Sequence, residues 1–304
     1  MLTRRLVLRP LTAFGSPLTG DTLFGQFCWT LRYKLGEERL RELLEGYCDG
    51  RPFAVFSDAF PQGFVPLPTL PFLRTGVSES KRWVAREHLG KDLEAWRQNA
   101  CTDTQAYTPV RPRMDMQPHN SINRLTGTTG KGDFAPYARS RIWHHPETKL
   151  DLYVLVDEDR LEMSKLREVL DALGEAGYGR DASAGLGKFR IEDAPEDAPA
   201  RQARASESFL TLAPCAPQGL GYDAEKSYYQ LKTHFGRHGD TAALSRPFKR
   251  PILLAKTGAV FSLPEERAVL FLGQGIGNIS GEDPRAVHQG YAPVIPLSGL
   301  GRNV

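Results

Sequence analysis

The sequence predicts an α+β fold, and three observations carry that prediction. Short apolar runs with alternating polarity are interleaved with segments of helical spacing. Glycine and proline are frequent, at 29 and 22 of 304 residues, which favours turns and a strand-rich chain with long loops. Strands and helices mix in the first half, whereas the second half reads almost wholly as strands. The length suits two domains, since domains cluster near ~100–150 residues.

The elements follow in order. Residues 4–10 alternate charged and aliphatic side chains (Arg5, Leu6, Val7, Leu8, Arg9), a half-buried strand. After a loop with Gly15, Pro17 and Gly20, residues 21–35 place Leu23, Phe24, Phe27, Cys28, Leu31 and Leu35 at helical spacing. Thr19 or Asp21 stands where a cap belongs. A short helix fits 38–47, and 53–57 reads as a strand. Prolines and aromatics over 60–72 predict an extended edge or connector. The spacing of Leu89, Leu93 and Trp96 predicts one helix over 80–98, with Gly90 against it. Residues 102–116 read as an excursion with room for a hairpin, and 120–142 as a long strand pair around Gly127, Gly130 and Gly132. A strand at 150–156 precedes a helix at 159–176, where Asp159 and Glu162 resemble a capping box. Glycines over 177–189 lead into a strand at 188–192, and 196–206 reads as a linker. Strands follow at 208–212, 251–254, 268–272 and 291–296, with one short helix at most. The first half thus runs strand, helix, strand, strands, helix, strand, the order of a ferredoxin-like domain with insertions.

Net charge is only +3, but its distribution is uneven. Residues 110–141 hold six basic side chains against two acidic ones, and 226–256 hold seven against one. Such segregation suits a polyanion on one face; for a single run, solvated surface is the plainer reading. Cys28, Cys48, Cys101 and Cys215 match no zinc or redox spacing, so no metal or cofactor is expected. The first residues are too charged for a signal peptide, and no apolar run is long enough for a membrane helix. The chain therefore reads as cytoplasmic.

Several motifs suit RNA, each with a plainer alternative. Gly185-Leu186-Gly187-Lys188-Phe189 is not a phosphate-binding P-loop, because Ala182 and Phe189 stand where Gly and Ser/Thr belong. It lets backbone approach a phosphate, or it is a tight turn. The segment from His119 to Gly127 is dense in donors; it is a contact surface or a solvated edge strand. Ser16 to Thr22 precede a helix start, which offers free N–H groups to an anion or only capping. Aromatics interleave with bases over Tyr229–Arg237 and Pro247–Pro251, as in a single-strand groove or an anchored loop. Neither Gly273–Gly277 nor His288–Tyr291 receives a chemistry.

Taken together, and in this order, DTLFGQFCW at 21–29, SDAFP at 57–61, INRLTG at 122–127, GLGKF at 185–189, PFKRPILL at 247–254, GQGIG at 273–277 and HQGYAPVIP at 288–296 carry a family likeness. The chain resembles the RAMP superfamily of CRISPR-associated proteins, and within it the fourth subunit of the type III-A (Csm) effector complex. The resemblance implies two ferredoxin-like (RRM-like) domains, 1–198 and 199–304, with a thumb-like insertion at about 82–116 in the first. It implies a subunit that caps the 5′ tag of the guide RNA (crRNA). A large polymerase/cyclase-like signature subunit would lie on one side and a backbone RAMP subunit on the other, with target RNA met only indirectly and no membrane. Carried over by motif, the RNA contacts would be Ser16, Thr19 and Asp21; His119, Asn120, Asn123 and Arg124; Gly185, Gly187 and Lys188; and Lys249 and Arg250.

Some RAMP relatives are metal-independent ribonucleases that mature crRNA. They need a general acid and base, usually with a histidine in the first loop or helix. Here the first histidine is His88, which leaves His119 and the His144–His145 pair as candidates. The expectation is a binder with no catalytic residues; a crRNA-processing endoribonuclease is the alternative. A third class, an interaction protein without RNA contact, predicts that neutralising Lys249 and Arg250 leaves crRNA loading unchanged.

Overall fold

The computed structural model describes residues 1–71, 78, 80–192, 204–239 and 248–298. From the N-terminus come β1 (Leu2–Pro10), α1 (Gly20–Leu35), α2 (Glu37–Leu44) and β2 (Ala54–Pro61). Next are β3 (Phe64–Pro66), β4 (Lys81–Ala85), α3 (Leu93–Gln98), β5 (Ala100–Thr102) and α4 (Asp103–Ala106). The hairpin of β6 (Arg113–His119) and β7 (Tyr137–Trp143) precedes β8 (Leu150–Val156), α5 (Met163–Ala176) and β9 (Phe189–Glu192). The second half holds β10 (Ala205–Thr211), β11 (Leu231–His234), β12 (Ile252–Ala255), β13 (Val260–Ala268), β14 (Phe271–Ile276) and β15 (His288–Leu297). Its described residues contain no helix. The fold is α+β with antiparallel sheets, as predicted.

The first sheet is ordered β2–β8–β1–β9, and all its pairs are antiparallel. Setting aside α2 and the elements from β3 to β7, the first half runs β–α–β–β–α–β, the order read from the sequence. The central strand β8 is buried along its whole length, which is why LDLYVLV is a nearly continuous apolar run. Its one charge, Asp151, is fully buried and accepts from Arg5 at 2.9 Å and from the Gly63 amide at 2.9 Å. On one face α1 buries Leu23, Phe24, Phe27, Cys28 and Leu31 among Phe53, Phe56 and the inner residues of α5. At roughly 1.5–3 kcal/mol for each fully buried large side chain, this stripe holds α1 in place without a strong cap.

The second sheet is ordered β13–β10–β15–β14. It meets the back of the first sheet through Phe60, Tyr153, Leu210 and Ile295. The two halves also interlock at β15. Tyr291 lies in the first core and donates its hydroxyl to the Tyr47 carbonyl at 2.6 Å. The buried Gln289 amide accepts from Phe56 N–H at 2.9 Å and donates to the Phe56 carbonyl at 2.8 Å, which mimics a strand partner.

Three local expectations are corrected, and the segment expected as a thumb is placed. Residues 80–98 are not one helix: Val84 turns into the core from β4, Gly90 takes φ of 92°, and Asp92 caps a helix that starts only at Leu93. The strand pair expected over 120–142 begins earlier, at Arg113, so His119 ends a strand and Asn120 to Gly127 form the hairpin tip. Asp159 is not part of a capping box. A turn closed by Arg160 and Leu161 amides on the Asp157 carbonyl moves the helix start to Met163. Of the expected thumb over 82–116, residues 82–106 pack as a small sheet with α3 and α4, burying Val84 and Trp96. The element exposed on both faces is the β6–β7 hairpin. Much of the expected linker, and the boundary at 198/199, lies outside the described residues.

Candidate nucleic-acid interface

The candidate surface is assembled around a bulge in β2. Register steps from Phe56 opposite Val154 to Ala59 opposite Leu152, so Ser57 and Asp58 together face Tyr153. Two residues against one is a β-bulge, which re-aims a side chain. Ser57 stays buried and its hydroxyl accepts from Tyr153 N–H at 2.9 Å, while Asp58 turns to the start of α1. Its carboxyl accepts from Gly20 N–H at 2.7 Å and from the Thr257 hydroxyl. Asp58 is half-buried, with its carboxyl deep in a cleft wall. Burial is the main force on it and pushes its pKa up to about 7.

Asp21 begins α1, and its carboxylate points into the second half. Its Oδ2 lies 3.1 Å from His234 Nδ1, 3.2 Å from Lys232 Nζ and 3.7 Å from His288 Nε2. Burial would raise its pKa, but the His234 and His288 imidazoles and the Lys232 ammonium overcome that and hold it well below the usual carboxylate range. His288 is itself buried, which lowers its pKa against the pull of Asp21. Asp21, expected among the RNA contacts, is 1% exposed, and its carboxylate is enclosed between α1 and the second half. The ligand atoms of Asp21, His234 and His288 all lie within 4.8 Å of one another and form a group able to hold a metal ion.

The loop before α1 and the glycine-rich loop after α5 are brought together. Thr19 N–H donates to the Tyr178 hydroxyl at 3.0 Å, and that hydroxyl donates to the Pro17 carbonyl at 2.9 Å. The Ser16 hydroxyl accepts from Arg180 N–H at 3.2 Å. Lys188 N–H donates to the Thr12 hydroxyl at 2.9 Å. Gly187 is buried with φ of 72°, and a Cβ there would stand 1.9 Å from the Tyr178 carbonyl oxygen. The tight-turn reading therefore accounts for Gly187. Gly185, at φ of 86°, has open space where a side chain would point.

The two aromatic and basic segments of the second half meet as a ribbon. Strand β11 pairs with β12, and Arg237 bridges Phe248 with its guanidinium 4.8 Å above the ring. Phe235 is 66% exposed, and Phe248 and Leu253 are also exposed. Arg250 is exposed, its guanidinium donating to the Asn278 side chain at 3.1 Å. Lys249 is mostly enclosed, and burial lowers its pKa, so Arg250 is the better presented cation of that pair. Exposed aromatics beside cations are what stacking on single-stranded bases requires. Lys232 and His234 fasten this ribbon to Asp21, and Thr257 fastens it to Asp58.

Between the Ser16–Thr19 loop and the β3–β4–β5 sheet lies a cleft of about 880 Å³ whose walls include Asp58, Arg82, Trp83 and His144. The hairpin base closes one end: Phe14 and Ile142 bridge each other, and Arg180 donates to the Ser140 carbonyl at 2.6 Å. The predicted contacts at the hairpin tip stand apart from this node. His119 stacks on Tyr137 with ring centroids 5.2 Å apart. Asn123 accepts from Leu125 N–H at 2.9 Å and so serves the turn, while Asn120 and Arg124 are exposed. Sequence reasoning missed His234 and His288 as partners of Asp21. The helix start signalled the carboxylate, but nothing near it signalled its companions.

No family model matches the sequence, and no curated protein matches it. By structure, the chain shares the fold of subunits of type III CRISPR–Cas effector complexes. That fold is Csm4-like over nearly the whole chain. The chain matches one in the Csm1–Csm4 cassette in complex with cA4 at a TM-score of 0.58 and 14% identity, covering 97% of this chain and 98% of that one. The Csm3–Csm4 subcomplex of the type III-A interference complex gives 0.58 and 14%, covering 97% and 99%. The type III-B Cmr-beta complex bound to cognate target RNA and AMPPnP gives 0.50 and 13%, covering 85% and 86%. Among the described residues, no helix is long and apolar enough to cross a membrane.

Proposed function

We propose that the chain is a non-catalytic RNA-binding subunit that caps the 5′ tag of crRNA in a type III-A CRISPR complex of the cytoplasm. It bridges a large Csm1-type signature subunit to a Csm3-type backbone subunit and meets target RNA only indirectly. The observation that carries this reading is the Csm4-like fold over 97% of the chain, in neighbours described both with Csm1 and with Csm3. The Ser16–Thr19 loop tied to Tyr178 and Arg180, Lys188 held at Thr12, and the exposed aromatic and basic ribbon at Phe235, Arg237 and Phe248 support an RNA-binding surface. In this reading the β2–β8–β1–β9 sheet is the first ferredoxin-like domain, the β13–β10–β15–β14 sheet is the core of the second, and the β6–β7 hairpin is the thumb.

Two histidines weighed for catalysis are built into packing. His144 meets Phe14 edge-on, with burial lowering its pKa to about 4, and His119 stacks on Tyr137. These placements support binding over cleavage. The test is direct. Replacing Lys188 and Arg250 with alanine is expected to weaken crRNA retention. The slope of log K against log salt should become shallower by about 0.7 to 1 for each phosphate no longer neutralised. Unchanged retention would favour a protein that only joins its neighbours. Specific cutting of repeat RNA by the pure chain, with or without EDTA, would replace the binder by a nuclease, and loss of cutting in His119→Ala would then locate the site.

A further inference from the structure

We infer that Asp21, His234 and His288 form a binding site for one divalent transition-metal ion of the zinc class, which braces the two halves of the chain. The three side chains come from α1, β11 and β15, elements far apart in sequence, and converge on one point. The sequence reading expected no metal, because the ligands fall in no recognisable spacing.

The geometry fits the ion. Bonds of about 2.0–2.1 Å at tetrahedral angles put neighbouring ligand atoms about 3.3 Å apart. The Asp21 Oδ2 atom stands 3.1 Å from His234 Nδ1 and 3.7 Å from His288 Nε2, close to that spacing, and all three ligand atoms lie within 4.8 Å of one another, so side-chain rotation closes the set around an ion. The side chains of Asp21 and His288 are 0% and 7% exposed. His288 Nε2 is buried with no hydrogen-bond partner among the described residues, since 3.7 Å is too long for one. A buried ring nitrogen aimed at a carboxylate and bonded to nothing is an arrangement that a metal would satisfy. The donor set also chooses the ion: two imidazoles with one carboxylate suit zinc and its neighbours, whereas calcium and magnesium take oxygen ligands.

Lys232 is the competing cation. Its ammonium lies 3.2 Å from the same Oδ2, but its side chain is 29% exposed and can withdraw to solvent. The site then exchanges one bound cation for another, with His234, the more exposed imidazole, on the side open to water. A bound ion would lock the first turn of α1, and with it the Ser16–Gly20 loop, onto the β11–β12 ribbon.

The full chain, freed of metal with a chelator and dialysed, is titrated with Zn²⁺ by calorimetry and with Co²⁺ by visible absorption. One Zn²⁺ per chain, a tetrahedral Co²⁺ spectrum and a melting temperature raised by several degrees are expected. His234→Gln and His288→Gln should each weaken Zn²⁺ by about tenfold or more. Lys232→Gln removes the competitor and should tighten Zn²⁺ binding several-fold, a result that a purely structural ion pair would not produce. Far-ultraviolet circular dichroism checks that each variant is folded. The absence of a one-to-one Zn²⁺ isotherm for the unmodified chain overturns the inference, as does an isotherm that neither histidine substitution changes.

Discussion

Asp58 is held by the β2 bulge in a place where its charge is unwelcome. Burial pushes its carboxyl up to about 7 from an ordinary value of 3.8, despite hydrogen bonds from Gly20 and Thr257. The folded chain therefore binds a proton that the unfolded chain releases between those two values. Stability from this group is fully present below pH about 4 and is lost as pH rises to about 7. Asp58→Asn keeps an acceptor for Gly20 N–H and removes the titration. Its thermal midpoint should lose less than the parent's on going from pH 5 to pH 8, as read by calorimetry in matched buffers. Asp21, next to Gly20 in the chain, obeys the opposite rule because the His234 and His288 imidazoles and the Lys232 ammonium act on it. Two carboxylates at one helix start thus have opposed pH behaviour, and only their neighbours distinguish them.

Elements differ in how far their sequences announce them. Strand β8 matches its predicted bounds, and α1 matches to one residue, because a continuous apolar run and a clean 3.6-residue stripe each admit one reading. Residues 80–98 misled because Leu89, Leu93 and Trp96 keep helical spacing across a break that Gly90 and the cap at Asp92 impose. The loops of the candidate surface were legible as glycines and hydroxyls. The Asp21 group was not, since its members meet only after β11 and β15 have docked. The β6–β7 hairpin has a different character. It pairs from Arg113–Trp143 to His119–Tyr137 yet exposes Met114 (71%), Met116, Tyr137 and Trp143. A lone two-stranded ribbon is marginal in water, and this one is secured at its base and by an ion pair from Arg139 to Asp181. Replacing residues 120–136 with an Asn-Gly turn should leave chemical denaturation within about 0.5 kcal/mol of the parent, because little of that segment is buried. Association with RNA-bearing partner subunits, measured by co-purification, should fall.

At the scale of the whole molecule, the halves are not separable units. Tyr291 belongs to the first core, and Gln289 clasps the Phe56 backbone from across the interface. Heating should give one cooperative transition with coincident near- and far-ultraviolet signals. Residues 1–192 produced alone should keep helical circular dichroism, lose near-ultraviolet signal and bind a hydrophobic dye, since Tyr47 and Phe56 lose their cover. The same clasp sets a timetable for biosynthesis. Strand β15 is translated long after the elements it closes upon, so the nascent first half emerges with an unsealed aromatic face. Until β15 arrives that face is open to misassembly.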